Sequence, residues 1–394
     1  MIGLDNLTVL TPEGFIEDGA VLIEGERIAA AGHRRELAFP ADLELIDGGG
    51  NYLVPGMIDL QINGGFGADF TADPAAIWQV GEQLTRYGVT SYLPTIVTSP
   101  FSVVEAAQET ILHGRPTDYS GATPLGLHLE GPLINRQKRG AHNPVHIRNP
   151  EPSLVDGWRL ERGVRMVTLA PELPGGVELI ERLVSRGILV SAGHSMASYA
   201  EAQAGLSAGI AYGTHLFNAM PALNHREPGL VGALLESPAV TVGLIADGIH
   251  VHPAMIAMVY RLVGHERISL VTDAMAGLGM PEGRYFLGDQ DVFVERDLAR
   301  LSDGRLAGCV LSLDELLNNF VQFSACSLEE ALTTVTRTPP RLLRLQDSLG
   351  MIAPGYYADL ALFSRELKVI ATFVRGQQVF RAAEAERSAR NGTA

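Results

Sequence analysis

The sequence predicts an α/β fold: a (β/α)8 TIM-like barrel joined to a small β-sandwich domain that both chain ends build. Two patterns indicate this fold. Between about residues 55 and 345, eight short apolar runs alternate with amphipathic segments, as the strands and helices of a barrel do. In the flanking residues, 1–54 and 346–394, short alternating runs are separated by Gly, Asp and Pro, which is typical of a small sheet.

The individual elements follow from the same patterns. The predicted barrel strands are 56–62, 88–97, 124–130, 164–170, 188–194, 210–216, 240–247 and 268–274. Helices are predicted over 75–88, 176–187 and 253–264, where apolar residues recur at three- and four-residue steps and each segment ends in Gly. The N-terminal runs are expected to form hairpins, and the strands after residue 346 are expected to pair with them. We expect the last residues, 382–394, to fray.

Composition and charge narrow the class of protein. The chain has 394 residues, 46% of them hydrophobic, which is enough for one large domain and a smaller one. Its formal net charge of −15 argues against nucleic acid or an anionic membrane as a partner, because both require a basic surface. Cys309 and Cys326 are predicted to be free thiols, since two cysteines are too few for a disulfide framework. The chain lacks a secretory signal and a bilayer-spanning apolar stretch, so we expect a cytoplasmic protein.

Four ionisable residues stand where predicted strands end: Glu130, His194, His215 and Asp273. Barrels of this class build their active sites at the carboxyl ends of the strands. A single His after a strand is more often structural, but four such residues at equivalent ends indicate one shared site. Zinc and iron(II) accept imidazole and carboxylate ligands, which suits Glu130, His194 and His215. Asp273 then suits a group that takes the proton of a water and later returns it, as in a hydrolase.

Longer motifs carry a family resemblance. PGMIDLQING and GMIAPGYYADLALF resemble segments of the amidohydrolase superfamily. Within it, HLEGPLINRQKRGAHNP, GHS, THLFNAM, REPGL, DGIHV and VTDAM are similar to the N-acetylglucosamine-6-phosphate deacetylase family, in the family's order over about residues 3–380. The resemblance implies metal-dependent hydrolysis of the N-acetyl group of N-acetylglucosamine 6-phosphate, in amino-sugar catabolism or cell-wall sugar recycling. It also implies one divalent metal per subunit, zinc or alternatively iron, and a homodimer or higher homo-oligomer.

Further site residues follow only from this resemblance. His142, in GAHNP, resembles the family histidine that polarises the amide carbonyl. The residues similar to the family's substrate contacts are Asn218, Ala219, Arg226 and His250. Arg226 suits a phosphate because the guanidinium presents planar, bidentate donors. In this family the phosphate contacts can come from the partner subunit of a dimer. His225 and His252 are expected to be bystanders.

Gln61 and Asn63 mark a departure from the superfamily. Many amidohydrolases carry an H-x-H pair after the first strand, which supports a second metal, whereas DLQING places two amides there. Neutral amides are poor ligands for transition-metal dications. Family members with the same replacement hold a single metal, so the resemblance implies a mononuclear site beside a vestigial second-metal region. Asp59 is nearer the strand interior and suits either a strand-end hydrogen bond or a metal role.

Alternatives remain open at this point. Glu172 follows a strand and could support the site, but we expect it to cap the helix that starts near Gly176. Ser195 lacks the GxSxG context of a serine hydrolase. The same metal ligands would serve a deacetylase for N-acetylgalactosamine 6-phosphate or another amidohydrolase. A catalytically silent sugar-phosphate sensor is a further alternative, which the presence of Asp273 argues against.

Overall fold

The computed structural model describes residues 1–40 and 42–383. Its strands are β1 (Ile2–Thr11), β2 (Gly14–Glu24), β3 (Arg27–His33), β4 (Glu44–Asp47), β5 (Tyr52–Pro55), β6 (Met57–Ile62), β7 (Gly64–Gly65), β8 (Ala68–Asp69), β9 (Val89–Val97), β10 (Thr123–Pro124), β11 (Leu127–Glu130), β12 (Val164–Leu169), β13 (Leu189–Ala192), β14 (Tyr212–Gly213), β15 (Thr241–Leu244), β16 (Ile268–Leu270), β17 (Gly283–Leu287), β18 (Gln290–Glu295), β19 (Leu298–Leu301), β20 (Leu360–Phe363), β21 (Val369–Val374) and β22 (Gln377–Arg381).

The helices alternate with the barrel strands and then follow them. They are α1 (Ala76–Leu84), α2 (Phe101–His113), α3 (Gly176–Ser185), α4 (Tyr199–Ala208), α5 (Gly229–Glu236), α6 (Pro253–Val263), α7 (Leu313–Ser324), α8 (Leu328–Thr336) and α9 (Thr338–Leu342). Each of the three helices predicted from apolar periodicity is present, as α1, α3 and α6. The helix α1 continues into a short 3-10 turn and stops at Gly88, whose φ of 74° is the left-handed conformation that glycine adopts easily.

The predicted barrel is confirmed. Its eight parallel strands pair in the order β6, β9, β11, β12, β13, β14, β15 and β16. The ring closes just beyond β16, where Asp273 N–H donates to Gln61 O at 2.8 Å and Ala274 bridges to Ile62. Strand residues such as Ile58, Leu129 and Val167 are buried because helices cover the outside of the barrel while side chains fill its interior.

Both chain ends build one second sheet, as the sequence predicts. Its strands pair in the order β22, β21, β20, β5, β1, β2 and β3, with β4 on β1. The two ends are joined by the antiparallel pair of β5 and β20, which sets Leu53 opposite Leu362, and by a bridge between Arg27 and Tyr357. The hairpin prediction holds only for β1, β2 and β3. Both β4 and β5 run parallel to β1, because the segment after β3 crosses over before β4, and β5 continues in the direction of β4 after residues 48–51.

A three-stranded antiparallel meander, β17 to β19, is the part of the fold that the sequence analysis missed. It is inserted between the last barrel strand and α7. Its inward residues Leu287, Val292 and Val294 share a small apolar cluster with Val97 and Ala141 at the mouth of the barrel. The insertion therefore forms one wall above the strand ends.

Three smaller expectations have different outcomes. Cys309 and Cys326 are buried free thiols, as expected. In the part of the chain that the structure describes, none of the helices combines the length and apolar character needed to cross a membrane. The expectation of fraying at 382–394 falls mostly outside the described residues, which end at residue 383.

Candidate metal centre and catalytic pocket

Glu130, His194 and His215 converge at the carboxyl ends of β11, β13 and β14. Glu130 Oε1 lies 3.1 Å from His194 Nε2 and 3.0 Å from His215 Nε2, and the two nitrogens are 3.1 Å apart. All three side chains are buried. Within the described ranges, this is the one group of three His, Cys, Asp or Glu residues close enough to share a metal ion.

The donor atoms of this triad fit a cation. His194 Nδ1 lies 2.8 Å from the carbonyl oxygen of Lys138, which can only accept a hydrogen bond, so Nδ1 carries the ring proton. His194 Nε2 therefore faces the carboxylate oxygen of Glu130, and a positive charge, either a second ring proton or a metal ion, stabilises this contact. Tetrahedral zinc with bonds of about 2.0–2.2 Å separates its ligand atoms by roughly 3.3–3.6 Å. The observed separations of 3.0–3.1 Å are a few tenths of an ångström shorter, so small side-chain shifts would admit the ion.

The buried triad also shifts its own protonation equilibria. Burial by itself raises the pKa of Glu130, but the hydrogen bonds and charges of His194 and His215 outweigh burial and hold this pKa well below its usual range. Burial by itself lowers the pKa of His215, but its hydrogen bond to Glu130 and that carboxylate's charge raise it. The site thus keeps a carboxylate ionised at full burial, which suits a ligand for a dication.

Asp273 stands beside the triad and is held by the two amides that replace the superfamily histidines. Its Oδ1 accepts hydrogen bonds from Asn63 Nδ2 at 2.8 Å and from Gln61 Nε2 at 3.1 Å. Gln61 Nε2 also donates to Glu130 Oε1 at 3.1 Å, so it links the ligand to the aspartate. Burial raises the pKa of Asp273, and the nearby charge of Glu130 raises it further. Such a carboxylate accepts a proton more readily than an ordinary aspartate.

Asp59 lies deeper in the barrel than Gln61 and Asp273. It makes strand-end hydrogen bonds, which is one of the two roles that the sequence suggested. Its Oδ1 accepts the backbone N–H of Gln61 at 3.1 Å, and its Oδ2 accepts the hydroxyl of Thr272 at 2.5 Å. It is not part of the metal-ligand group. The carboxylate of Asp59 thus fastens the first barrel strand to the segment after the eighth.

His142 reaches the site from a loop rather than from a strand end. Its Nε2 is 3.8 Å from Glu130 Oε2, and its ring packs against His194 with centroids 4.4 Å apart. The backbone N–H of Thr98 donates to His142 Nδ1 at 3.3 Å, so Nδ1 accepts and Nε2 carries the proton. Burial and the neighbouring His194 lower the pKa of His142 to about 3. The ring is therefore neutral and presents an N–H donor to the pocket.

A pocket of about 250 Å³ lies above these groups. Its lining includes the three ligands, Asp273, His142 and Asn63, together with Val97, Gly140, Ala141, Asn218, Ala219, His250, Leu287, Arg305, Leu306 and Gly308. The structure thus brings Asn218, Ala219 and His250 to the predicted site. A larger open cavity of about 490 Å³ lies between α7 and residues 365–368, away from the strand ends. Because the ligand triad borders only the smaller pocket, we place the chemistry there.

Arg226 does not line this pocket. It is exposed in the loop 221–228, and its backbone N–H donates to Asn224 Oδ1 at 2.9 Å. His225 is exposed beside it, and neither His225 nor His252 lines the pocket, as expected of bystanders. The structure thus separates Arg226 from the other residues that the resemblance grouped with it.

Several residues at the site escaped the sequence analysis. Asp247 Oδ2 lies 2.6 Å from His250 Nδ1 and orients that ring toward the pocket. Its signal was available, since Asp247 ends the predicted strand 240–247. The pocket is lined on the meander side by Arg305, Leu306 and Leu287. None of these residues stands at the end of a predicted barrel strand, so the strand pattern did not identify them.

Glu172 does not have the capping role that the sequence analysis expected. The helix α3 has Gly175 as its N-cap and shows no side-chain cap. The carboxylate of Glu172 instead accepts hydrogen bonds from the segment that follows His194.

A barrel whose strand ends gather two His, one Glu and one Asp around a pocket has the residue types that metal-assisted hydrolysis requires. Residues 52–379 match the amidohydrolase family. The chain is 41% identical over 352 residues to the N-acetylglucosamine-6-phosphate deacetylase of Homo sapiens, covering 85% of each. It is also 35% identical over 372 residues to the N-acetylgalactosamine-6-phosphate deacetylase of Escherichia coli O157:H7, covering 94% of this chain and 97% of that one.

Solved structures agree with these relatives. The crystal structure of N-acetylglucosamine-6-phosphate deacetylase from Pasteurella multocida superposes with a TM-score of 0.90 at 32% identity, over 96% of this chain and 99% of that one. The chain therefore belongs to the amidohydrolase family and, within it, groups with the N-acetylglucosamine-6-phosphate deacetylases.

Proposed function

We propose that this protein hydrolyses the N-acetyl group of N-acetylglucosamine 6-phosphate, releasing acetate and glucosamine 6-phosphate. The supporting observation is the triad of Glu130, His194 and His215 with Asp273 and His142 around one pocket, in a chain 41% identical to a deacetylase of that substrate. The reaction would serve amino-sugar catabolism or the recycling of cell-wall sugars.

We propose one divalent metal per subunit, held by the triad, with zinc as the first choice and iron(II) as the second. Imidazole and carboxylate ligands suit both ions. Such an ion supplies Lewis acidity and brings the pKa of water toward ~7. The amides of Gln61 and Asn63 already donate to Asp273, which supports a single-metal site over a paired one.

The protein's own residues then account for the proton transfers. Asp273 Oδ1 is occupied by two amide donors, which leaves Oδ2 to take the proton of the attacking water. The neutral His142 donates a hydrogen bond from its Nε2–H to the acetyl carbonyl oxygen and keeps its proton while negative charge develops on that oxygen. The water oxygen bonds to the carbonyl carbon, Asp273 Oδ2 returns the first proton to the amide nitrogen, and the C–N bond breaks. The second water proton passes from the acetic acid to the amine, which leaves acetate and the ammonium form of glucosamine 6-phosphate.

Substrate binding uses the other side of the pocket. We propose that His250, oriented by Asp247, and the segment with Asn218 and Ala219 contact the sugar and its phosphate, because all three residues line the pocket. Arg226 is exposed and outside its own subunit's pocket, so we propose that a homodimer places it at the pocket of the partner subunit. A guanidinium there would bind the phosphate bidentately.

The test is release of acetate from N-acetylglucosamine 6-phosphate by the zinc-loaded protein. The matched substrates are non-phosphorylated N-acetylglucosamine and N-acetylgalactosamine 6-phosphate. We expect the rate of acetate release from N-acetylglucosamine 6-phosphate to exceed the rate from each of the other two by at least tenfold. Preference for the galacto substrate would favour the second candidate, which the 35% identical relative from Escherichia coli supports. Absence of release from all three, with metal bound, would overturn the proposal and leave a sensor or another amidohydrolase.

A further inference from the structure

The backbone of His194 is held in an unfavourable conformation. Its φ is 49°, in the left-handed region that a side chain other than glycine rarely adopts. Such a conformation persists only where the surrounding structure over-determines it. The position matters because the imidazole of His194 supplies one corner of the candidate metal triad. Some nearby group must therefore fix the chain on both sides of this residue.

Glu172 is that group on the C-terminal side. Its Oε1 accepts the backbone N–H of Met196 at 2.6 Å, and its Oε2 accepts the hydroxyl of Ser195 at 2.7 Å. Ser195 is fully buried, and its Oγ in turn accepts the backbone N–H of Ala197 at 2.9 Å. One carboxylate thus anchors the two residues that directly follow His194.

The same carboxylate also anchors the loop after β11. Asn135 Nδ2 donates to Glu172 Oε1 at 2.9 Å. The backbone N–H of Asn135 donates to the carbonyl of His194 at 2.8 Å, and the carbonyl of Lys138 accepts His194 Nδ1–H at 2.8 Å. This loop therefore holds both the backbone and the ring of His194, and Glu172 holds the loop.

We infer that Glu172 is a positioning residue for the metal ligand His194, acting through Asn135 on one side and Ser195 and Met196 on the other. Three charge-assisted hydrogen bonds from two separate loops meet on this single carboxylate. Glu172 itself stays outside the ligand group and outside the pocket lining. The inference rests on the metal site of the proposed function, although not on its substrate.

The test measures the dissociation constant of Zn²⁺ by competition with a chelator. Glu172→Ala should weaken zinc binding about 10- to 100-fold, the usual effect of losing a group that orients a ligand. Glu172→Gln should recover most of the affinity, because its amide can still accept from Met196 and Asn135 and can donate to Ser195 Oγ. The matched control is Glu181→Ala, since Glu181 is exposed on α3 and makes no side-chain hydrogen bond to any described residue.

The Asn135→Ala variant and thermal melting distinguish a positioning role of Glu172 from a general loss of folding. Asn135→Ala should weaken zinc binding less than Glu172→Ala does, and the double variant should be little worse than Glu172→Ala, because both belong to one network. Melting of the metal-free proteins checks that each variant is folded. Wild-type zinc affinity in a folded Glu172→Ala protein, or equal weakening in Glu181→Ala, would overturn the inference. Wild type that fails to bind zinc would overturn both this inference and the proposed metal, whereas zinc binding without acetate release would overturn only the proposed reaction.

Discussion

The two halves of the pocket are built in different ways. Glu130, His194, His215 and Asp273 stand at or just beyond strand ends, where the closed ladder of the barrel fixes the backbone. The opposite rim consists of the irregular loop that carries His142 and of residues at the meander, such as Leu287 and Arg305. The floor is thus positioned mainly by repeated strand pairing, with the hydrogen bonds of Glu172 as an added support for His194. The rim depends on a few individual contacts alone.

Those rim contacts can be named. Asp289, in the turn between β17 and β18, accepts Asn143 Nδ2 at 2.7 Å and lies 3.1 Å from His146 Nε2. The turn itself rests on the buried Asp69, whose Oδ2 accepts the backbone N–H of Gly288 at 3.1 Å. Ala141, next to His142, packs in the apolar cluster beneath the meander. Changes at the floor should therefore abolish catalysis, whereas changes at the rim should weaken it by degrees.

The largest effect is expected at the floor, from Asp273→Asn. The amide cannot take a proton at the position of Oδ2, so kcat should fall by about a thousandfold or more, while substrate still binds. The measurement is steady-state release of acetate, with calorimetric titration of the substrate and metal analysis of the same sample. Turnover like that of the wild type would remove Asp273 from the mechanism, and loss of metal would make its role structural.

His142→Ala should have the next largest effect. Removing one donor to a developing oxyanion lowers kcat by about 10²–10³-fold. Zinc content should stay unchanged, since His142 is outside the ligand group. His225→Ala is the matched control, because His225 is exposed and outside the pocket lining. If His142→Ala and His225→Ala behaved alike, the rim would contribute no catalytic group.

At the rim contact itself we expect a graded loss. Asp289→Ala should lower kcat about three- to tenfold with unchanged metal content, because the loop of His142 loses its tie to the meander. Asp289→Asn keeps an acceptor and should stay close to wild type. Asp291→Ala is the control on the same hairpin, since among the described residues the Asp291 side chain pairs only with Arg284, on the exposed face. Equal activity of Asp289→Ala and Asp291→Ala would show that the rim needs no such tie.

The smallest effect concerns stability below the floor. Burial raises the pKa of Asp59 to about 7, against opposition from its hydrogen bonds to Thr272 and Gln61. The folded protein therefore binds this proton more tightly than the unfolded chain does, so stability is lost as pH rises from about 4 toward about 7. Asp59→Asn cannot ionise and keeps the acceptor for the backbone N–H groups.

The difference in Tm between Asp59→Asn and the wild type should thus increase, in favour of the variant, by a few degrees from about pH 5 to about pH 8. Thermal melting at several pH values measures this difference, with Asp291→Asn as an exposed control. A Tm difference that does not vary with pH would show that Asp59 is ionised throughout.

The floor was predictable from the sequence and the rim was not, for physical reasons. A buried parallel strand reads as a short apolar run, so a polar residue at its end, such as His215, can be assigned to the active face without knowing the fold in detail. The loop that carries His142 has no periodicity, and only the resemblance to a known family singled out that residue. Arg305 is an ordinary charged residue in sequence, because the meander that brings it to the pocket was not recognised.

The meander did leave a signal. Val292 and Val294 alternate with exposed neighbours, and Gly288 and Asp289 form a two-residue turn, both typical of a hairpin. The role of Glu172 left no signal in the sequence. A carboxylate shortly after a strand can cap the next helix or accept from a neighbouring loop, and only the distance from Asn135 and Ser195 distinguishes these roles.

The sheet shared by both chain ends has a consequence for synthesis on the ribosome. β5 directly precedes the first barrel strand, and one of its edges pairs with β20. The whole barrel is translated after β5 and before β20. Until then one edge of β5 is open, and an open edge invites pairing with another chain. Released chains that end before residue 360 should therefore bind chaperones more strongly than chains that include β20 and β21.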